Sequence, residues 1–172
     1  MNKYSNIVLA GFMGTGKTEV GKRLAKKLSM TFVDMDDLIV ERQDKPIPKI
    51  FAEKGESFFR NLEKKLAKEL SAQSGMVIAT GGGIVLDPIN IAAFQRSGLV
   101  VCLSATPQTI LSRIKTDTNR PLLAESNKMN KIKSILKARQ HLYDAIEHQI
   151  DTTNLTIDGV VRRILDICRT ET

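Results

Sequence analysis

The octet Gly11-Phe12-Met13-Gly14-Thr15-Gly16-Lys17-Thr18 follows an apolar run at residues 6–10 and leads straight into a helix-patterned stretch at residues 17–28. It fits G-x-x-x-x-G-K-[ST], the loop whose backbone N–H groups wrap a phosphate chain at a helix N-terminus. The motif works only between the end of a strand and the start of a helix, so it commits the chain to an α/β architecture. In such a loop Gly14, Thr15 and Gly16 turn main-chain amides toward phosphate oxygens, and Lys17 reaches the β and γ phosphates. Thr18 offers a hydroxyl to Mg2+.

The rest of the chain repeats the alternation. Short β-branched or apolar runs at residues 31–33, 76–79, 99–103 and 150–152 join the first one, and helix-patterned stretches separate them. Phe59, Leu62, Leu66 and Leu70 recur at spacings of three and four, which predicts an amphipathic helix. Further helices are expected at 36–42, 88–96, 107–115, 130–147 and 157–168, with Pro88 and Pro107 at helix starts. Five strands alternating with helices predict a three-layer α/β domain, a parallel sheet covered on both faces. At 172 residues, without repeat or long linker, the whole chain reads as one domain. The pattern lapses only in a polar insert at about 116–127, which includes Arg120 and reads as a lid.

Composition narrows the class. No apolar run approaches the roughly 18 residues a membrane span requires, so no membrane partner is expected. Cys102 and Cys168 lack metal or redox spacing and suit reduced thiols of a cytoplasmic protein. His141 and His148 read as surface residues of a polar helical region. The net charge of +7 favours anions, whether nucleic acid, anionic lipid or a phosphorylated metabolite, and does not choose among them. Motors, GTPases and metabolite kinases share the phosphate loop. The chain carries no Asn/Thr-Lys-x-Asp guanine signature and is short for an ATP-driven machine, which favours a small phosphotransferase.

Asp34 and Asp36 stand two apart at a strand end, where an extended backbone puts them on one face. The same pair admits a plainer reading as helix caps, with Asp37 the residue best suited to capping alone. Arg60 and Glu63 are three apart on one helix and can pair, either to aim the guanidinium or as an ordinary surface ion pair. Three glycines at 81–83 end a buried strand, as where a backbone must approach a ligand closely.

Asp34-Met35-Asp36, Phe59-Arg60-x-x-Glu63, Gly81-Gly82-Gly83, Arg120-Pro121-Leu122-Leu123, Arg139-x-x-x-Tyr143 and Ile150-Asp151-Thr152 follow the phosphate loop in order. With it, they make the sequence resemble the shikimate kinase family over nearly its whole length. The resemblance implies a nucleoside-monophosphate-kinase-like fold with strand order 2-3-1-4-5, ATP and shikimate as substrates, Mg2+ as cofactor, and a monomer. It implies ATP-dependent phosphorylation of the shikimate 3-hydroxyl, in aromatic amino-acid synthesis. By the same resemblance Lys17, Asp36 and Arg120 are catalytic, and Thr18 and Asp34 serve the metal, Asp34 through water. Asp36 also binds the acceptor hydroxyls, with Gly81, Gly82 and Gly83 supplying amides. Arg60 and Arg139 match the acceptor carboxylate, since a guanidinium fork fits that group. Arg113, Arg120 and Thr152 join the loop on the nucleotide side, Arg113 being equally readable as a surface residue.

Two segments depart from the family pattern. The chain reads Asp44-Lys45-Pro46-Ile47-Pro48-Lys49-Ile50-Phe51 where the family usually has a glycine and a small residue before Ile-x-x-Ile-Phe. After Thr152 it reads Thr153-Asn154-Leu155-Thr156, without the proline common there. Phe51, Phe58 and Phe59 suit either an acceptor-pocket wall or the core. A gluconate-type kinase is the nearest enzymatic alternative. A nucleic-acid-binding module would draw on the basic stretch at 128–137 but lacks interleaved aromatics, so no nucleic-acid partner is expected.

Overall fold

A computed structural model describes residues 4–114 and 127–170. The strands are β1 Asn6–Ala10, β2 Thr31–Asp34, β3 Met76–Ala79, β4 Gly98–Ser104 and β5 His148–Asp151. The helices are α1 Lys17–Leu28, α2 Met35–Gln43, α3 Ile47–Ser71, α4 Pro88–Ser97, α5 Pro107–Ile114, α6 Lys128–Asp144 and α7 Ile157–Thr170. All five strands run parallel in the order β2-β3-β1-β4-β5. The expected α/β class, strand order and helices on both faces are therefore all observed.

Alternate residues of each central strand feed opposite cores, as the period of two requires. Ile7, Leu9, Val77 and Val101 pack with Val20 and Leu24 of α1 and Val160 and Ile164 of α7. Val8, Ala10, Ile78 and Val100 pack with Leu66 of α3, Phe94 of α4 and Ile132 of α6. Burial on both faces is why these strands read as continuous apolar runs. The sheet is pinned at one end by Asn6, whose Nδ2 donates to the Gln73 carbonyl at 2.7 Å while its Oδ1 accepts from Met76 N–H at 3.0 Å. Near the other end Thr80 donates its N–H and hydroxyl to the Leu9 carbonyl at 3.0 and 3.1 Å. That contact brings the triple glycine alongside the phosphate loop.

Two local expectations are corrected. The cap of α2 is Asp34, which accepts from Asp36 N–H at 3.0 Å and Asp37 N–H at 3.4 Å, so neither Asp36 nor Asp37 is the N-cap. The strand ends one residue later than its apolar run, and the first residue in extended conformation before the helix takes the cap. His148 opens β5 and does not belong to a helical region, because α6 stops at Asp144 and Gln149 Nε2 donates to the carbonyls of Tyr143 and Ile146 at its end. The unusual proline segment begins α3: Pro46 is its cap and Pro48 sits in the first turn, where a missing N–H breaks no helical bond. Gly55, at φ 81° and ψ 169°, kinks that helix. The expected lid, with Arg120, lies outside the described residues apart from Asn127, which caps α6. No described helix is long and apolar enough to cross a membrane.

Candidate active site

The site forms where β1, β2 and β3 end and the phosphate loop turns into α1. Gly16 caps α1 in the left-handed region at φ 99°, a conformation that costs most residues a steric penalty. Lys17 is 8% exposed, and its Nζ donates to the carbonyls of Gly11 at 2.7 Å and Phe12 at 2.8 Å. Thr15, also buried, donates its hydroxyl to the Phe12 carbonyl at 2.8 Å. The Thr18 hydroxyl donates to Asp34 Oδ2 at 2.8 Å, joining the start of α1 to the end of β2. Thr18 and Asp34, sixteen residues apart, thus meet as the sequence reading expected.

The second half of the site gathers around the three glycines. A Cβ on Gly81 would lie 2.7 Å from Glu63 Oε1 and 2.8 Å from Asp36 Oδ1, so both carboxylates turn toward this point. A Cβ on Gly83 would lie 2.2 Å from Arg60 Nη1. None of the three glycines has positive φ, so the turn does not demand them; side chains crowd Gly81 and Gly83, and the backbone of the phosphate loop lies against Gly82. Arg60 Nη1 donates to Glu63 Oε2 at 2.5 Å and Nη2 to Glu56 Oε1 at 3.2 Å, with the guanidinium 5.4 Å from the Phe59 ring centre. The half-buried Arg60 and a Glu63 side chain only 2% exposed make a held pair, unlike a loose surface bridge. Phe59 is buried against Phe51, and Phe58 is exposed.

Burial pushes the Glu63 carboxyl above its ordinary range, Arg60 pulls it back, and the neighbouring Asp36 pushes it up again, with Arg139 a further downward influence. The folded protein therefore holds that proton more tightly than the unfolded chain. Glu63 makes stability decline as pH rises from its ordinary value of 4.5 through the raised one. Melting temperatures taken from pH 4.5 to 8 should fall less steeply for Glu63→Gln than for the native chain. Parallel curves would show that Glu63 does not titrate in this way.

Arg113 and Thr152 meet on the other side of the phosphate loop. Arg113 donates to the Thr152 hydroxyl and carbonyl, both at 3.0 Å, and to the Gly14 carbonyl at 3.2 Å. The buried Thr152 hydroxyl also lies 3.1 Å from the Thr15 carbonyl and 2.9 Å from that of Ser104. These contacts make Arg113 part of the loop's frame, beside a cavity of about 300 Å3 whose apolar wall includes Leu155, Ile157 and Val160. Sequence reasoning gave no role to Leu155, and its place in a departure from the family pattern was the only signal. It also left Tyr143 without a role, although a spacing of four from Arg139 puts the two on one helix face. The Tyr143 hydroxyl donates to the Gly82 carbonyl at 2.7 Å.

The structure brings together every sequence-expected site residue it describes, in two groups flanking the loop: Asp36, Arg60, the glycines and Arg139 on one side, Arg113 and Thr152 on the other. A family model described as shikimate kinase matches residues 13–169. This chain belongs to the shikimate kinase family. It is 42% identical over 160 residues to a shikimate kinase of Pelotomaculum thermopropionicum, covering 93% of each chain. The solved structure of the Acinetobacter baumannii shikimate kinase in complex with shikimate superposes with a TM-score of 0.94 at 34% identity, over 99% of this chain and 96% of that one. A gluconokinase from Sinorhizobium meliloti aligns at a TM-score of 0.62 and 14% identity, over 99% of this chain and 95% of that one, a likeness of fold alone.

Proposed function

We infer that the chain transfers the γ-phosphoryl group of ATP to the 3-hydroxyl of shikimate, giving ADP and shikimate 3-phosphate. The observation that carries this reading is the convergence of Asp36 and Arg60 on the triple glycine beside a phosphate loop, with Arg139 acting on the same Glu63, within a chain of this family. A ring with hydroxyls at one end and a carboxylate at the other needs that pairing of an acceptor carboxylate with two guanidinium groups.

Phosphoryl transfer asks for alignment and neutralised charge more than for covalent catalysis. The amides of Gly14, Thr15 and Gly16 hold the phosphates, and Lys17 leaves its own loop carbonyls to meet the β and γ oxygens. Asp36 orients the attacking hydroxyl and takes its proton as the bond forms. Arg60, held by Glu63, and Arg139 bind the carboxylate, and Gly81 to Gly83 approach the ring with their backbone. Arg113, Thr152 and Leu155 frame the cavity that suits the adenosine part of ATP.

The Thr18 hydroxyl and Asp34 carboxylate fit Mg2+, a hard cation that takes oxygen donors and few protein ligands when phosphates complete its shell. Thr18 would bind it directly and Asp34 through water, and its charge would offset that of the β and γ phosphates.

Arg120 is proposed to bring a charge onto the transferring group, in keeping with the family resemblance. Arg120→Ala is expected to lower kcat about a hundredfold while the shikimate KM moves only a few-fold. Steady-state kinetics check this, and an unchanged kcat would end the assignment.

The reaction itself is tested by ADP release with Mg·ATP and no acceptor, shikimate, gluconate or nucleoside monophosphates at equal concentration. Stimulation by shikimate alone is expected. Release no greater than the blank would overturn the acceptor reading. A monomer is proposed on the family resemblance, and a cytoplasmic location and one domain with a lid at about 116–127 on the chain's length and composition.

A further inference from the structure

We propose that Tyr143 is a positioning residue of the acceptor site, fixing through one buried hydroxyl both Arg139 and the peptide between Gly82 and Gly83. The proposal rests on the acceptor reading given above. Tyr143 lies on α6 one turn beyond Arg139, and the two are 4% and 9% exposed. The phenol donates to the Gly82 carbonyl at 2.7 Å, a contact spanning 61 residues of chain. Burial pushes the phenol above its ordinary range, and Arg139 opposes that shift through its charge and a hydrogen bond to the same group.

A neutral phenol has one proton to give, and here Gly82 takes it. The Arg139 guanidinium has no lone pair to offer, so toward the phenol oxygen it can act only as a donor. Its influence on the phenol and the phenol's bond to Gly82 therefore run in one direction, and each strengthens the other. A planar trans peptide points its C=O and its N–H in opposite directions. The hydroxyl that holds the Gly82 carbonyl therefore also sets the direction of the Gly83 N–H, next to the point where Arg60 crowds Gly83. Packing alone would need only the ring, which lies in the core with Ile132 and Ile146. Phenylalanine would fill that volume and supply neither bond, so the hydroxyl is the part that serves the site.

Tyr143→Phe separates the two roles. The shikimate KM is expected to rise about tenfold, as for loss of a buried hydrogen bond to groups that meet a ligand, with the ATP KM within twofold of the native value. Arg139→Ala, measured in parallel, should raise the shikimate KM as well. A native shikimate KM in Tyr143→Phe beside a raised one in Arg139→Ala would overturn the proposal and leave the acceptor reading standing. Native values in both would overturn both. Equal rises for shikimate and ATP would mark a structural role and also overturn it. Should the variant fail to fold, the native protein carries the test. The chain has two tyrosines, so 13Cζ-labelled tyrosine gives two NMR signals, assigned with Tyr4→Phe. The Tyr143 signal should shift on saturation with shikimate, and a fixed signal would overturn the proposal.

Discussion

Asp36→Asn lowers kcat about a thousandfold and changes the shikimate KM far less, because the carboxamide keeps the shape of the side chain but accepts no proton from the attacking hydroxyl. The substitution leaves the fold's use of this residue in place. The helix-capping bond at this position runs from the Asp36 backbone N–H to the Asp34 side chain and does not need the Asp36 carboxylate. Glu63 makes the argument sharper. Glu63 aims a second buried carboxylate at the same point by Gly81, and the two repel, so a proton passed to Asp36 as the hydroxyl attacks the γ-phosphorus relieves that repulsion. Single-turnover measurement of ADP formation at saturating ATP and shikimate separates chemistry from release. A kcat within tenfold of the native value would mean that Asp36 orients the hydroxyl and removes no proton, as a loose transition state permits.

The parts of this site that lie close in sequence can be read from local pattern, whereas those joined across the chain come from the family resemblance or are not legible at all. The phosphate loop is a local object: eight residues between a strand and a helix define its backbone, and α1 begins and ends where its pattern does. The Arg60–Glu63 pair is also local, since helical spacing alone puts the two side chains together. The Tyr143 contact with Gly82 and the Arg113 contact with Thr152 join residues 61 and 39 apart, and no local pattern marks either pairing. Strand order came from the family resemblance, because alternating strands and helices are compatible with several parallel orders. The first half of α3 escaped the periodic reading because two prolines and the kink at Gly55 break the spacing of its apolar residues. Asp34 combines the metal and the capping readings, one carboxylate serving Thr18 with one oxygen and α2 with the other.

Gly83→Ala is expected to lower kcat/KM for shikimate about three-hundredfold while the melting temperature moves by only a few degrees. The split follows from what the added methyl would meet. Its Cβ would lie 2.2 Å from Arg60 Nη1, 2.5 Å from Cζ and 2.6 Å from Nη2, all atoms at the far end of one flexible side chain. The backbone at Gly83 has negative φ, at −91°, so alanine adopts it without strain. The fold therefore yields by moving the guanidinium and keeps its core. That movement breaks the 2.5 Å bond to Glu63 and takes the charge away from the acceptor carboxylate, losing a charge-assisted bond at the ligand. Glu63 is left buried with less compensation, so its carboxyl should titrate still higher than in the native protein. The loss should fall on shikimate alone, since the nucleotide side of the loop is framed by Arg113 and Thr152. Kinetics with each substrate varied in turn give the answer. A native shikimate kcat/KM in Gly83→Ala would show that Arg60 can step aside without leaving the carboxylate, and its role in binding the acceptor would fall with that result.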